Sequence, residues 1–211
     1  MFINDKYSRI KILKLYKTLF IASLSLLLSF FSKAQTPALK TNTTENEKET
    51  SIIYKNFSTQ YDLLIAFTRE SYWWSNLENY SLLAFKNGVC LKGVISSKRN
   101  KHGIWSKPKI KFKEINCDSA KYIVKYLNDV GFYSLNRDTL NINKKRINDN
   151  QVQLFSIDDG VNYKFEIVSK NDFLIIESYE PEYLLQKIPE LRSRATFIKC
   201  RDWFLSKYKK L

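Results

Sequence analysis

The chain has 211 residues with 35 Lys and Arg against 21 Asp and Glu, so its formal net charge is +14, and it contains one His. This length allows one domain, or two small ones, with an extension. Hydrophobic residues make up 44% of the chain, which excludes wholesale disorder, and only five glycines are present, which argues against glycine-loop nucleotide-binding folds.

The N-terminal residues 1–34 predict a secretory signal peptide. A basic stretch ends at Lys17, the apolar run Leu19–Phe31 follows, and small residues precede a cleavage point between Ala34 and Gln35. The apolar run has 13 residues, whereas a membrane-spanning helix needs about 20. We therefore expect an exported bacterial protein, periplasmic or extracellular, with no stable membrane span after cleavage. An uncleaved N-terminal membrane anchor is the alternative.

The chain after the signal divides into two parts. Residues 35–50 are polar and predict a flexible linker, and residues 51–211 predict a single domain. Removing residues 1–34 leaves 29 basic and 20 acidic residues, a net charge of +9. A basic balance favours non-specific attraction to anions but does not identify a partner.

The first half of the domain predicts strands. Tyr61–Arg69 is a short apolar run that we interpret as a strand. Tyr80–Lys86 and Val89–Ile95 flank Asn87-Gly88, the residues that best tolerate the positive φ of a two-residue hairpin turn. Lys107–Ile115 alternates lysines with apolar residues, which predicts a strand with one solvent-exposed face.

A helix and a polar loop follow. Asp118 is the predicted N-cap of an amphipathic helix, and Gly131 suits its C-terminal end. Residues 136–151 predict a loop. The buried face of the helix is predicted to consist of Ala120, Ile123, Val124 and Leu127.

The last part predicts a hairpin, a strand and two helices. The hairpin joins Val152–Ile157 to Val161–Val168 around Asp159-Gly160, and Phe173–Ser178 is the next strand. Helices are predicted to begin near Pro181 and Pro189. The predicted buried stripe of the longer helix consists of Leu191, Ala195, Ile198 and Leu205, widened by Trp203 and Phe204.

Runs of strands interrupted by single helices predict an α+β fold. We expect an antiparallel β-sheet, built from β-hairpin and β-meander units, that packs against an amphipathic helix and a C-terminal helix. The apolar face of such a meander needs a helix or a second sheet to cover it.

Three cysteines, Cys90, Cys117 and Cys200, remain after the signal. In an oxidising compartment they allow one disulfide with three possible pairings, and three semi-buried thiols are the alternative. Their spacing fits no zinc site, and we predict no metal and no cofactor.

Catalytic motifs are lacking in the sequence. His102 is the only His and lies in a basic stretch that predicts a solvated loop. Carboxylates cluster at Asp158-Asp159 and around Glu177, positions that turns and helix starts favour without any catalytic role. We therefore predict no enzyme activity and no catalytic residue. A small extracytoplasmic hydrolase that uses His102 or the acidic cluster is the remaining enzymatic alternative.

The aromatic stretch Tyr72, Trp73 and Trp74 is the most unusual local feature. Exposed Tyr and Trp side chains would offer stacking surfaces to a sugar, a base or a protein partner. Burial of at least one Trp in the core is the alternative.

Lys107, Lys109, Lys111 and Lys113 would share one face of their strand. Such a face suits the anionic groups of a polysaccharide or a nucleic acid, although no nucleic-acid motif accompanies it. Alternatively, the lysines form a solvated face that discourages edge-to-edge strand pairing.

The leading hypothesis is an exported, non-enzymatic binding or protein-interaction domain, whose partner is an unknown protein or an envelope component. The sheet face and the stretch 72–74 would carry the contact. The second hypothesis is binding of an anionic polymer through Lys107, Lys109, Lys111 and Lys113.

Overall fold

A computed structural model describes residues 37, 39–71, 77–101, 106–170 and 172–211. All of them belong to one compact unit, Thr36–Leu211. None of the helices within these residues is both long enough and apolar enough to cross a membrane.

The predicted α+β fold is confirmed. A six-stranded sheet has the order β4-β3-β2-β1-β7-β8, and every neighbouring pair is antiparallel. Its strands are β1 Leu63–Ser71, β2 Leu77–Lys86, β3 Val89–Lys98, β4 Lys109–Glu114, β7 Val161–Ser169 and β8 Asp172–Tyr179. The helices are α1 Glu45–Thr50, α2 Ile52–Phe57, α3 Cys117–Asp129, α4 Arg137–Leu140, α5 Pro181–Lys187 and α6 Arg192–Lys210, and a second sheet pairs β5 Lys144–Asn148 with β6 Gln151–Leu154.

The first predicted hairpin is confirmed at β2 and β3. Asn87 and Gly88 both adopt positive φ, at 50° and 82°, as its two-residue turn requires. The register pairs Lys86 with Val89 and Leu77 with Lys98, so both strands extend beyond their predicted limits.

The two faces of the main sheet support separate clusters of buried side chains. On face A, side chains such as Leu63, Ile65 and Phe165 pack against α3 and α6. On face B, Leu64, Ala66 and their neighbours pack against the short helix α2. Successive residues of a strand point to opposite sides, and helices cover both sides of β1. The buried part of β1 is therefore a continuous run of mostly apolar residues.

The structure differs from the predicted flexible linker over residues 41–50. Asn42 bonds both the N–H and the carbonyl of Ile175, and the Thr43 hydroxyl donates to the Phe173 carbonyl, so this segment lies along the outer strand β8. Thr44 then begins α1 with a capping box that it forms with Glu47. Polar side chains attach this segment to the sheet through hydrogen bonds. A prediction based on hydrophobic residues alone does not detect such an attachment.

The predicted second hairpin and the predicted loop 136–151 are wrong. β6 pairs with β5 to form a separate two-stranded sheet, whereas β7 pairs with β1 and β8. Residues 136–151 contain α4 and β5. The Asp159-Gly160 pair resembles a hairpin turn locally, but β7 buries more of its side chains by pairing between β1 and β8 in the main sheet.

The predicted helix at Asp118 is present, but its N-cap is Asn116, whose side chain accepts hydrogen bonds from the N–H groups of Asp118 and Ser119. All four predicted face residues are buried. Gly131 follows the helix at φ 73°, the left-handed conformation expected at a helix C-terminus.

The predicted stripe of the last helix is wrong except at Phe204, which is buried, and Trp203, which is half-buried. Leu191, Ala195, Ile198 and Leu205 are exposed or half-buried. The buried residues instead include Arg194, which is 0% exposed. Its guanidinium donates to the carbonyls of Leu140, Ile142 and Leu184, so hydrogen bonds offset its burial. The buried side of α6 consists of Arg194, Phe197, Cys200, Arg201, Phe204 and Tyr208.

Of the two interpretations of the cysteines, the structure has one disulfide. Cys90 at the start of β3 is bonded to Cys117, the first residue of α3, across 27 positions of sequence. Cys200 is a free, buried thiol, and burial raises its pKa to about 11.

Candidate functional site

Two parts of the predicted site, the aromatic stretch and the histidine, are not among the described residues. Tyr72, Trp73 and Trp74 lie outside the described residues, and so does His102. The flanking residues Ser71 and Leu77 lie at the end of β1 and the start of β2. The aromatic stretch and the histidine therefore stay predictions.

The predicted lysines lie on the outermost strand. Lys109, Lys111 and Lys113 belong to β4, which pairs only with β3, and Lys107 directly precedes it. All four side chains are exposed. In the register, Lys109, Lys111 and Lys113 lie opposite Ser96, Val94 and Lys92 of β3. These β3 residues alternate in step with the buried Cys90, so they and the three lysines lie on face A. We define the lysine face as Lys92, Lys109, Lys111 and Lys113.

Helices leave this part of face A open. Val94 on β3 is 48% exposed and Leu77 on β2 is 43% exposed, although both occupy the face that α3 and α6 cover elsewhere. Asn79 is exposed beside them, and Ser96 is half-buried. Within the described residues, the lysine face is therefore the charged edge of an accessible part of the sheet.

The positive charges of the lysine face have no acidic neighbours on the same surface. Among the residues of β2, β3 and β4 that share face A, none is Asp or Glu, since Glu78 and Glu114 lie on face B. Within the described residues, none of the four lysines forms an ion pair. Lys92 lies directly opposite Lys113 in the register, and like charges at such positions repel.

The end of α6 adds further positive charge beside β3. The Tyr208 hydroxyl donates a hydrogen bond of 2.5 Å to the Gly93 carbonyl, which ties the last helical turn to the strand. The Lys92 ammonium lies 4.6 Å from the centroid of the same tyrosine ring. That turn also contains Lys207, Lys209 and Lys210. Strand and helix terminus together form one basic region.

Face B carries the opposite charge. Its open end bears Glu70, Glu78, Glu166 and Glu177 around a single ammonium group, that of Lys164. Lys164 forms ion pairs with Glu70 and Glu166, and Glu166 is only 1% exposed. Burial opposes the charge of Lys164, but Glu166 and Glu70 hold its pKa above the ordinary value.

A phenol links two of these carboxyl groups. The Tyr80 hydroxyl lies 2.8 Å from Glu78 and 2.9 Å from Glu166. A phenol has one proton to donate, so the second contact requires a proton on one of the carboxyl groups. Burial, followed by the charges of Glu166 and Glu70, raises the pKa of Glu78.

These face B groups stabilise the fold. The Ser51 hydroxyl donates to Glu166 and also caps α2 by accepting from the N–H groups of Ile53 and Tyr54. Arg137 binds Glu47 of α1 and lowers the pKa of that carboxyl to about 2. The contacts of Ser51 and Arg137 therefore attach the N-terminal segment to the rest of the fold, and those of Ser51 and Lys164 with Glu166 balance a buried charge. Among the described residues, no cluster of His, Cys, Asp and Glu has the geometry of a metal site.

A cavity of about 280 Å³ lies at the base of the β5–β6 hairpin. Asn143 and Phe155 at the ends of the hairpin line it, together with Tyr179 and Tyr183. The Tyr179 hydroxyl donates to the Ile157 carbonyl and accepts from the Gly160 N–H. The polar groups of that tyrosine are thus satisfied, and aromatic rings form much of the wall.

Sequence reasoning missed the network around Glu166 and the exposed β5–β6 hairpin. Lys164 and Glu166 alternate with Phe165 and Ile167 in β7, a pattern that indicates one polar side in an otherwise apolar strand. Residues 144–154 were not predicted as a hairpin because most of them are polar and show no clear apolar alternation. No family model matches the chain, and neither the curated proteins nor the solved structures contain a significant match.

Proposed function

We propose that the protein is an exported, non-enzymatic binding domain that binds an anionic polymer through the lysine face. The proposal depends on one observation: three exposed lysines of β4 and the half-buried Lys92 of β3 lie on one side of the sheet. Among the described residues they form no ion pair, and the residues of β2–β4 on that side include no carboxylate. Each lysine is a strongly hydrated point charge that loses no existing ion pair when it meets a sulfate, phosphate or carboxylate group.

The spacing of the lysines favours an extended polymer over a compact anion. Lys109, Lys111 and Lys113 are two positions apart, and a strand rises about 3.4 Å per residue, so their Cα atoms repeat at roughly 7 Å. A polymer with anionic groups along its length can contact several of them at once. Multiple weak contacts then add within one molecule.

Two observations support export. The N-terminal sequence has the three parts of a secretory signal. The disulfide Cys90–Cys117 is of a kind that persists in oxidising compartments and is rare in the reducing cytosol. An anionic envelope polysaccharide is a polymer that such a protein would meet.

The test is binding of the full chain, in a mild non-ionic detergent, to fluorescent heparin as the probe. We expect the triple variant Lys109→Gln, Lys111→Gln, Lys113→Gln to bind at least about tenfold more weakly. The matched control removes the same charge elsewhere, at the exposed residues Lys55, Lys86 and Lys199. Equal losses in the two variants would mean that net charge alone, and not the lysine face, attracts the polymer.

A further inference from the structure

The β5–β6 hairpin is exposed on both strands, with one half-buried residue, Lys145. It pairs with no other strand of the described chain, so β5 and β6 each have one open edge. An isolated two-stranded hairpin is marginally stable in water at best. A further strand or surface would stabilise it.

The outward side of the hairpin combines apolar and basic side chains. Leu154 is 71% exposed and Val152 is 56% exposed. The register places Lys144 opposite Leu154 and Arg146 opposite Val152, so all four share one side. Lys145 alternates to the other side, where it forms a 2.7 Å ion pair with Glu190. That ion pair attaches the hairpin to the body of the domain. On the outward side Arg146 lies 3.8 Å from the fully exposed carboxylate of Asp149 and stays largely exposed itself.

The open edges differ. In β5, the register shifts between Arg146 and Asn148, and such an irregularity interrupts the row of backbone groups. β6, Gln151–Leu154, is regular and leads directly into Phe155, which lines the cavity of about 280 Å³. A strand added to β6 would therefore continue towards a cavity with aromatic walls.

The basic side chains of the hairpin indicate which kind of segment could pair with β6. Lys144 and Arg146 lie beside the apolar side chains of the hairpin. At the cavity, the Glu180 carboxylate accepts from the Val161 N–H, and the Lys187 ammonium lies 5.4 Å from the centroid of the ring of Tyr183, a lining residue. A second copy of this hairpin would repel the first, because its own charges have the same sign. An extended acidic segment has the complementary charge and supplies the missing backbone partner.

We propose that the β6 edge binds an extended acidic peptide segment of another protein by strand addition, with one large apolar side chain of that segment in the cavity. The segment alternates acidic and apolar residues, so that its carboxylates lie on the outward side of the hairpin. There the long side chains of Lys144 and Arg146 reach towards them across β6. This site is on different elements from the lysine face and does not depend on it.

The probe is a fluorescent seven-residue peptide, Val-Glu-Val-Glu-Leu-Glu-Val, added to the full chain and followed by anisotropy. We expect it to bind, and we expect the peptide with Lys in place of Glu not to bind. The variant Lys144→Glu with Arg146→Glu should weaken binding about tenfold, because each attraction becomes a repulsion. The control, Lys55→Glu with Lys199→Glu, makes the same change of net charge and should leave binding within about twofold.

Two further measurements identify the mode of binding. Ser156→Trp, which fills the cavity from an exposed lining position, should also weaken binding. Bound peptide should slow amide hydrogen exchange in Gln151–Leu154. Failure of the acidic peptide to bind at about 1 mM overturns the proposal. Binding that persists in the Lys144→Glu/Arg146→Glu variant overturns it as well, and so does binding to vesicles of anionic lipid in place of the peptide.

Discussion

The Ser51 hydroxyl at the N-terminus of α2 donates a hydrogen bond to the buried carboxylate of Glu166 in β7, 115 positions later in the chain. One oxygen atom thereby caps a helix and satisfies a buried charge. Glu166 also contacts Tyr80 and Lys164. The contact between Ser51 and Glu166 fastens the N-terminal segment onto face B of the sheet.

We expect Ser51→Ala to lower the free energy of unfolding by about 2–3 kcal/mol. Loss of a helix cap costs about 1 kcal/mol, and loss of a partner for a buried carboxylate adds the remainder. Urea unfolding followed by circular dichroism measures the change. Asn136→Ala is the matched control, because Asn136 caps α4 through Asp138 and Thr139 and has no buried carboxylate as a partner. Equal costs for the two variants would contradict the role of Glu166.

The raised pKa of Glu78 predicts an unusual pH dependence. A carboxyl group whose pKa is higher in the folded than in the unfolded state binds its proton more tightly in the folded protein. The protein therefore loses stability as the pH rises above about 4.5, the ordinary pKa of Glu. Glu78→Gln keeps a hydrogen-bonding group beside Tyr80 and removes the charge. We expect this variant to be more stable than the parent at pH 7, and the difference to vanish near pH 4.

Unfolding by urea at pH 4 and pH 7 checks the prediction for Glu78. Glu114→Gln, an exposed substitution on the same face of the sheet, should leave stability unchanged at both pH values. A Glu78→Gln variant less stable than the parent at pH 7 would show that the charged carboxylate stabilises the fold.

The disulfide should make a large contribution to stability. It closes a loop of 27 positions, for which chain entropy in the unfolded state predicts about 3.5 kcal/mol. The double variant Cys90→Ala, Cys117→Ala should lose about that amount. In the oxidised parent, an alkylating reagent should modify no cysteine under native conditions and one, Cys200, after denaturation, as counted by intact mass. Three modified cysteines without a reductant would contradict the pairing.

Arg194 predicts the largest effect of a single substitution. Its guanidinium is fully buried, and it donates to three carbonyl groups near the ends of α4 and α5. Arg194→Met removes four hydrogen bonds to these carbonyls, of which Leu140 keeps the Ser178 hydroxyl and Leu184 keeps the Ile188 N–H as donors. It should cost about 3–5 kcal/mol in thermal or urea unfolding. Arg192→Met removes an exposed arginine of the same helix and should cost less than about 0.5 kcal/mol. A cost below about 1 kcal/mol for Arg194→Met would show that water replaces those hydrogen bonds.

Local signals predicted much of the fold. The Asn87-Gly88 turn, the alternation through Lys109, Lys111 and Lys113 and the spacing of the buried residues of α3 depend on neighbouring residues alone. Features that depend on distant partners were missed. The burial of Arg194 requires the carbonyl of Leu140, and the pairing of β7 requires β1, so no pattern within α6 or around Asp159-Gly160 reveals them.

The candidate site was predictable to a similar degree. Periodicity placed Lys109, Lys111 and Lys113 on one face of a strand, but it could not show that Lys92 joins them from β3. It also could not show that carboxylates are absent from the described residues of β2–β4 on face A. Both facts follow from strand order, which arises from burial across the whole sheet.

The salt dependence of heparin binding tests the proposed function most directly. The logarithm of the binding constant should fall linearly with the logarithm of salt concentration, because bound lysines release counterions from the polymer. We expect the triple variant of Lys109, Lys111 and Lys113 to reduce that slope by about 2–3, and the control at Lys55, Lys86 and Lys199 to change it by less than about 1. Identical slopes for the parent and the triple variant would contradict binding through the lysine face.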